Sequence, residues 1–289
     1  MSAAHALSED RLLAEVRARD DALYRLDTFD NSLVMETLVN TKLSRDRLKR
    51  MGPRTAMMDH PYVQKRAAQP FKRYQGAAQI PLDDYRDTPL RTGLGELVHT
   101  RKSTKDYGAQ PLSLMHLGAL LFNSYGVIRT ELLHADRIPW RFRPIPSPGG
   151  LFASEIYVIA LSSDLERGLY HYRPDLNVLE RVRTGDFTDF VRRSCGVEPY
   201  IAPVEHLGGV IITTSMIERL YIKYGERSYK FMLIETGLLA QQLSLCAHSL
   251  GLGSCMLGGY LDDEVHAFLG VDGVLESVQN LMVVGIPDG

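Results

Sequence analysis

Residues 222–260 read IKYGERSYKFMLIETGLLAQQLSLCAHSLGLGSCMLGGY, and their pattern decides the fold. Ser228 stands where a cap begins a helix through Phe231, Ile234, Leu238, Leu245 and Leu250, and Gly251 sits where a left-handed C-terminal cap ends one. Leu233, Leu239, Leu243, Cys246 and Ala247 occupy the other faces, so the predicted helix is apolar nearly all round. Such a helix is expected to be buried on most sides, in a core or a subunit interface. Glu235, Gln241, Gln242 and His248 interrupt it too often for a membrane span. Lys223 and Tyr224 stand just before it; Gly251, Gly253, Gly258 and Gly259 follow, a run that lets backbone approach a flat ligand.

Working outward, strand-length apolar runs cover Glu155 to Leu161, Gly209 to Ser215 and Leu281 to Ile286. Gly168 to Tyr172 and Val178 to Val182 flank the turn RPDLN and predict a hairpin. Ser113 caps a predicted helix with Leu117, Leu120 and Leu121 inward, and Leu94 to Val98 starts another. Helices and strands mix without a regular βαβ alternation, which predicts an α+β architecture. Gly251-Leu252-Gly253 follows a helix instead of opening one, so a Rossmann reading is rejected.

The N-terminal part reads differently. Residues 8–26 have helical spacing behind Ser8, and a second helix is expected from Ser32 to Arg50, ended by Gly52-Pro53. Its second half carries Lys42, Arg45, Arg47, Lys49 and Arg50, for which a solvated face is the plainer reading and a binding patch the sharper one. From Thr55 to Gly95 the sequence turns to Pro, Gly, Gln and Asp and reads as an irregular connector. Two domains are therefore expected, a helical extension and connector over 1–90 and a main domain over 91–289.

Whole-chain properties narrow the function. The 289 residues are 45% hydrophobic, enough for a substantial core. A net charge of -2 gives no overall field for nucleic acid or an anionic membrane. Cys195, Cys246 and Cys255 lack CxxC spacing, and the nine histidines lack a metal-ligand spacing, so neither a disulfide framework nor a metal site is expected. The first residues show no basic-then-apolar signal, and the expectation is a reduced, soluble, cytoplasmic protein without a membrane segment.

Four strings carry candidate chemistry. Arg101, Ser103 and Lys105 offer two cations and a hydroxyl, suited to a phosphate, although on their own a basic surface turn is the plainer reading. Pro146-Ser-Pro-Gly-Gly150 is a turn before a strand whose glycines allow close approach to a ligand; it lacks the GKS or GKT of a P-loop. Lys223-Tyr224 reads either as a helix entry or as a phenol beside an ammonium, a combination that favours the phenolate and makes a general base. Glu235 is costly to bury without partners and is read as a structural carboxylate holding a neighbouring loop.

Together these strings resemble the SagB-type dehydrogenases of the nitroreductase superfamily, flavin enzymes that oxidise azoline rings to azoles in peptide natural products. The resemblance runs from about Phe71 to Pro287 through RKSTKDY at 101–107, PLSLMHLGALLFNSYGV at 111–127, PSPGGLFASEIYVI at 146–159, GLYHYRPDLNVLERV at 168–182 and the stretch 223–271. It implies an FMN-binding fold with a mostly antiparallel central sheet flanked by helices, in an intertwined homodimer with two flavins at the interface. It implies that Arg101, Ser103 and Lys105 grip the phosphate, ribityl and pyrimidine end, and that Ser147, Gly149 and Gly150 pack on the flavin from the partner subunit. Gly258 and Gly259 would lie near the reactive nitrogen. Gln242 stands, after Gln241, where relatives often carry Gln-Asn at a flavin contact, and Lys223-Tyr224 matches the family's catalytic pair. Many nitroreductases end in a basic segment that completes the phosphate site; this chain ends GIPDG, so another cation is expected to serve or the phosphate to be less enclosed.

The implied activity is oxidation of a thiazoline or oxazoline in a peptide or carrier-protein-bound intermediate, with a cyclodehydratase or assembly-line partner. Two alternatives stay open from the sequence: an NAD(P)H-dependent nitro or quinone reductase, and a noncatalytic flavin-fold scaffold of a biosynthetic complex.

Overall fold

In a computed structural model, residues 33–133, 137–197 and 203–288 are described, together with Ala14 and Ile201. The chain divides into two compact units, Met1–Arg47 and Leu48–Gly289. Apart from Ala14, the helix expected over residues 8–26 lies outside the described residues.

In the first unit, helix α1 spans Leu33–Asn40 and buries none of its residues. The single helix expected from Ser32 to Arg50 is in fact two. The Ser44 hydroxyl accepts the Arg47 backbone N–H at 3.2 Å and so starts helix α2, Arg45–Met57, of which Leu48–Met57, with Arg54, belongs to the second unit. Gly52 and Pro53 lie inside α2 instead of ending it. The missing proline N–H costs one intrahelical bond, and the exposed position of Pro53 leaves the freed carbonyl to water.

The second unit is built on a seven-stranded sheet of order β1-β6-β5-β4-β7-β9-β8, with every pairing antiparallel. The central strands are β4, Ser154–Ala160, and β7, Gly209–Met216, both almost wholly buried. The expected hairpin is β5, Gly168–Arg173, with β6, Val178–Thr184. Strand β9, Glu276–Gly285, begins five residues earlier than its apolar run, because Glu276 and Asn280 are buried polar positions inside it. Four strands escaped the sequence reading: the edge strand β1, Gln79–Pro81, the edge strand β8, Gly253–Leu257, and the hairpin strands β2, Arg129–Leu133, and β3, Ile138–Phe142. The connector read over Thr55 to Gly95 also holds helix α3, Pro61–Ala67, and Leu82 is fully buried.

Alternation along the strands sorts side chains into two cores. Ile156 and Val158 of β4 face α5, Leu114–Tyr125, and the long helix α8, Ser228–Ser249, which supplies Leu239, Leu243 and Ala247. Tyr157 and Ile159 face the other way, toward α6, Thr188–Ser194, and α9, Asp262–Leu269. A third cluster of Trp140, Leu151, Leu220 and Met232 lies under the β2–β3 hairpin and carries helix α7, Glu218–Tyr224.

Helix α8 ends as expected: Gly251 has φ +76, and the Leu252 N–H reaches the Ala247 carbonyl at 2.8 Å. Its start differs. Ser228 is already helical and its hydroxyl donates to the Gly225 carbonyl at 2.6 Å, because a 3-10 turn over Gly225–Arg227 feeds the helix directly. Nor is the helix covered all round. Leu233, Ile234 and Leu238 form one stripe and stay 45%, 54% and 39% exposed.

Candidate active site

Helix α7 puts the predicted pair at its last turn. Leu220 is fully buried beneath it, and the half-buried Tyr224 ring meets Phe231 edge-on with centroids 4.7 Å apart. Gly225, at φ +54, takes the backbone out of the helix in a conformation that a side chain resists. The Lys223 ammonium lies 5.3 Å from the centre of the Tyr224 ring.

The Pro146–Gly150 loop comes up against this pair. Gly149 and Gly150 both have positive φ, +65 and +64, so two consecutive residues are left-handed. Trp140 pins the loop from β3 by donating Nε1–H to the Gly150 carbonyl at 2.9 Å. A methyl group on Gly149 would lie 2.8 Å from the Tyr224 hydroxyl oxygen and 3.0 Å from Lys223 Nζ. Both polar tips therefore converge on one point beside an exposed glycine backbone.

Glu235, fully buried in α8, holds the same loop, as expected of a structural carboxylate. It accepts from the Ser147 hydroxyl at 2.5 Å and from the Ser154 N–H and hydroxyl at 2.9 and 2.8 Å. Ser147 Oγ also accepts the Phe152 N–H at 2.8 Å, so its proton is committed to Glu235 and one lone pair to the backbone that follows the loop. Ser154 and Trp140 were not singled out in the sequence, where neither residue type nor spacing marks them.

The Arg101–Lys105 segment lies near the other end of α8. Helix α4, Leu94–Thr100, ends at Arg101, and the Thr104 N–H donates to the Ser254 carbonyl of β8 at 2.9 Å. Among the described residues the Arg101, Ser103 and Lys105 side chains have no hydrogen-bond or ion-pair partner; Ser103 and Lys105 are exposed. Strand β8 leads into Gly258 and Gly259, both exposed with open space where a side chain would be. Gln242 turns Nε2 to the Asn123 carbonyl at 3.1 Å. Residues 228 and 249 are separated by roughly 30 Å of helix at 1.5 Å per residue. One chain therefore brings Lys223, Tyr224, Ser147, Gly149 and Gly150 together, whereas the Arg101–Lys105 segment follows Thr100, whose hydroxyl lies 3.1 Å from His248 Nε2 near the opposite end of that helix.

Among the described residues no group of three or more His, Cys, Asp or Glu is placed to hold a metal ion. No described helix is long and apolar enough to cross a membrane.

Residues 98–286 match the nitroreductase family. The chain belongs to that family. It is 28% identical over 194 residues to MJ1384 of Methanocaldococcus jannaschii, a protein named as a nitroreductase, across 66% of this chain and 89% of the relative. It is 30% identical over 135 residues to the microcin B17-processing protein McbC of Escherichia coli, across 45% of this chain and 49% of McbC, so the chain spans about half of that relative. The E. coli microcin synthetase McbBCD complex, solved with truncated pro-MccB17 bound, shares the fold at a TM-score of 0.56 and 20% identity, over 86% of this chain and 99% of that one.

This family member is an oxidoreductase, and its cofactor is FMN. The residues fit that group chemically. Arg101 and Lys105 are cations without a carboxylate partner among the described residues, as a phosphate requires, and the exposed glycines leave backbone free for a flat ring.

Proposed function

We propose that this nitroreductase-family oxidoreductase is an FMN-dependent azoline dehydrogenase, converting a thiazoline or oxazoline in a peptide or carrier-bound intermediate to the aromatic ring. The observation that carries the reading is the convergence of Tyr224 Oη and Lys223 Nζ beside Gly149. A reductase fed with hydride by a nicotinamide has no need of a substrate base, whereas an azoline oxidase does. Similarity to McbC, a microcin B17-processing protein, points the same way.

The ring CH next to the carbonyl of an azoline is acidified by both C=N and C=O, so a positioned base can remove it. Tyr224 Oη takes that proton, and Lys223 places its cation beside the oxygen. FMN, when bound, supplies the two-electron acceptor. Arg101, Ser103 and Lys105 are proposed to hold its phosphate end, with Gly258, Gly259 and Gln242 along the same protomer. Ser147, Gly149 and Gly150 are proposed to approach from a partner subunit. Separation of the Arg101–Lys105 segment from the Ser147–Gly150 loop by the length of α8 supports a homodimer, since a second copy can bring the far half of one chain to the near half of the other. The exposed stripe Leu233, Ile234 and Leu238 on that helix supports the same reading.

By analogy with a synthetase complex, a cyclodehydratase or assembly-line enzyme is the proposed partner. The test is mass spectrometry of azoline compounds after incubation with the purified protein, read for loss of two hydrogens, with Tyr224→Phe as the comparison.

A further inference from the structure

Helix α7 has only seven residues, too few to hold its own geometry without tertiary contacts. Two arginines outside the Lys223–Tyr224 pair supply such contacts. Arg219 lies one turn before Lys223 on the same helix face. Its Nη2 is 2.6 Å from Glu155 Oε1, and its Nη1 donates to the Phe152 carbonyl at 3.0 Å. Both acceptors belong to the run that leaves the Pro146–Gly150 loop, and Phe152 holds a positive φ of +46 there. The guanidinium therefore straps the first turn of α7 to the loop that its last turn faces.

The anchor is itself fixed. Glu155 is buried, and its second oxygen lies 2.7 Å from His171 Nε2; His171 Nδ1 lies 3.3 Å from Glu180. At the other end of α7, Arg54 of α2 donates Nη1 to the Tyr221 carbonyl at 3.2 Å, with its guanidinium 4.9 Å from the Tyr221 ring centre. A cation at the last carbonyls of a helix is favoured by their partial negative charge. Arg54 also packs within 3.6 Å of the position a side chain on Gly225 would take, directly after Tyr224.

We propose that Arg219 and Arg54 are positioning residues, which hold α7 from its two ends so that Lys223 Nζ and Tyr224 Oη converge at Gly149. The activity readout of this inference rests on the proposed azoline oxidation; its geometric readout does not. It also gives Arg54, in the part of α2 that belongs to the second unit, a part in the site.

The full-length, FMN-loaded protein is compared with Arg219→Met, Arg219→Lys and Arg54→Ala. With flavin content retained, kcat on an azoline is expected to fall on the order of 10²-fold in Arg219→Met and roughly tenfold in Arg54→Ala, with KM changed far less. Arg219→Lys, which keeps a cation near Glu155, is expected to recover part of the loss. In protein labelled with ¹³Cζ-tyrosine, the Tyr224 resonance, assigned by its disappearance in Tyr224→Phe, is expected to move in Arg219→Met and Arg54→Ala. A wild-type protein without azoline turnover removes the proposed function and leaves this spectroscopic test standing. Should Arg219→Met not fold, Arg54→Ala alters only a half-buried contact and still reports. A Tyr224 resonance that stays in place in either folded variant overturns the proposal for that arginine.

Discussion

The Tyr224 hydroxyl oxygen stands 2.8 Å from the point where a side chain on Gly149 would begin, and Lys223 Nζ stands 3.0 Å from it. Glycine at 149 is thus required twice, by a φ of +65 and by the two polar tips. Gly149→Ala is expected to cost about 1–2 kcal/mol in stability from the left-handed backbone and to displace the flexible ends of Lys223 and Tyr224, lowering activity at least tenfold. Gly76→Ala is the control, because Gly76 has φ +76 and nothing within 4 Å. It should show the stability loss with wild-type turnover, read by thermal denaturation and steady-state kinetics.

Glu235 satisfies three donors of the loop and of β4 at once. Removing it orphans the Ser147 hydroxyl and both donors of Ser154, each costing about 1–3 kcal/mol when buried and unpaired. Glu235→Ala is expected to lose about 3 kcal/mol or more in chemical denaturation and to loosen the Ser147–Phe152 turn. A loss below 1 kcal/mol would mean that the loop is held by Trp140 and the backbone alone.

Arg101 has no partner of its own among the described residues, so its charge is available to an anion. Hydrogen bonds to charged groups are worth about 1.5–3 kcal/mol, so Arg101→Ala should weaken FMN binding roughly 10- to 100-fold. Flavin fluorescence titration at two salt concentrations checks this, and the wild-type affinity should fall with salt more steeply than that of the variant. Equal affinity in both proteins removes Arg101 from the phosphate site.

Stability should depend on pH through the buried cluster around His171. Burial pushes the Glu155 carboxyl up, but the Arg219 guanidinium and the His171 hydrogen bond outweigh it and hold it down at about 2, from an ordinary 4.5. Glu180 is likewise held at about 2, burial being outweighed by His171, the Tyr74 N–H and Arg173. Burial lowers His171, yet Glu155 and Glu180 raise it above its usual 6.5. A depressed carboxylate contributes stability that is complete above pH 4.5 and is lost as pH falls toward 2. A raised histidine contributes stability that is complete below pH 6.5 and is lost as pH rises through its folded value. Denaturant midpoints should therefore fall on both sides, and His171→Gln should flatten the basic limb. An unchanged basic limb in that variant contradicts the assignment.

Periodicity made the core of the fold legible. Helix α8, the β5–β6 hairpin and the buried strands β4 and β7 follow from apolar spacing and turn residues in the sequence. Short elements were not legible: β1 has three residues ending in proline, β8 is masked by its glycine context, and β2–β3 owes its place to Trp140 packing on the loop. The segment from Thr55 to Gly95 lacks periodicity because single long-range contacts hold it, such as Lys72 Nζ to Glu276 at 2.6 Å and the buried Leu82. Of the candidate site, Lys223, Tyr224 and Gly149 are singled out by the family resemblance, and Glu235 by a carboxylate set in an apolar helix. Arg219 and Arg54 could not be singled out, since Glu155 lies 64 residues upstream of the first and Tyr221 lies 167 residues downstream of the second, in contacts only the fold creates.

The central claim is that Tyr224, set against Gly149 and beside Lys223, removes a ring proton from an azoline. Its most direct test is mass spectrometry of a small thiazoline and oxazoline panel incubated with the FMN-loaded protein. The wild type is expected to remove two hydrogens from at least one compound, while Tyr224→Phe, with its flavin and fold retained, does so on the order of 10² to 10⁴ times more slowly. Equal turnover by the two proteins, or reduction of nitro and quinone compounds with NAD(P)H by a wild type that leaves every azoline unchanged, would contradict it.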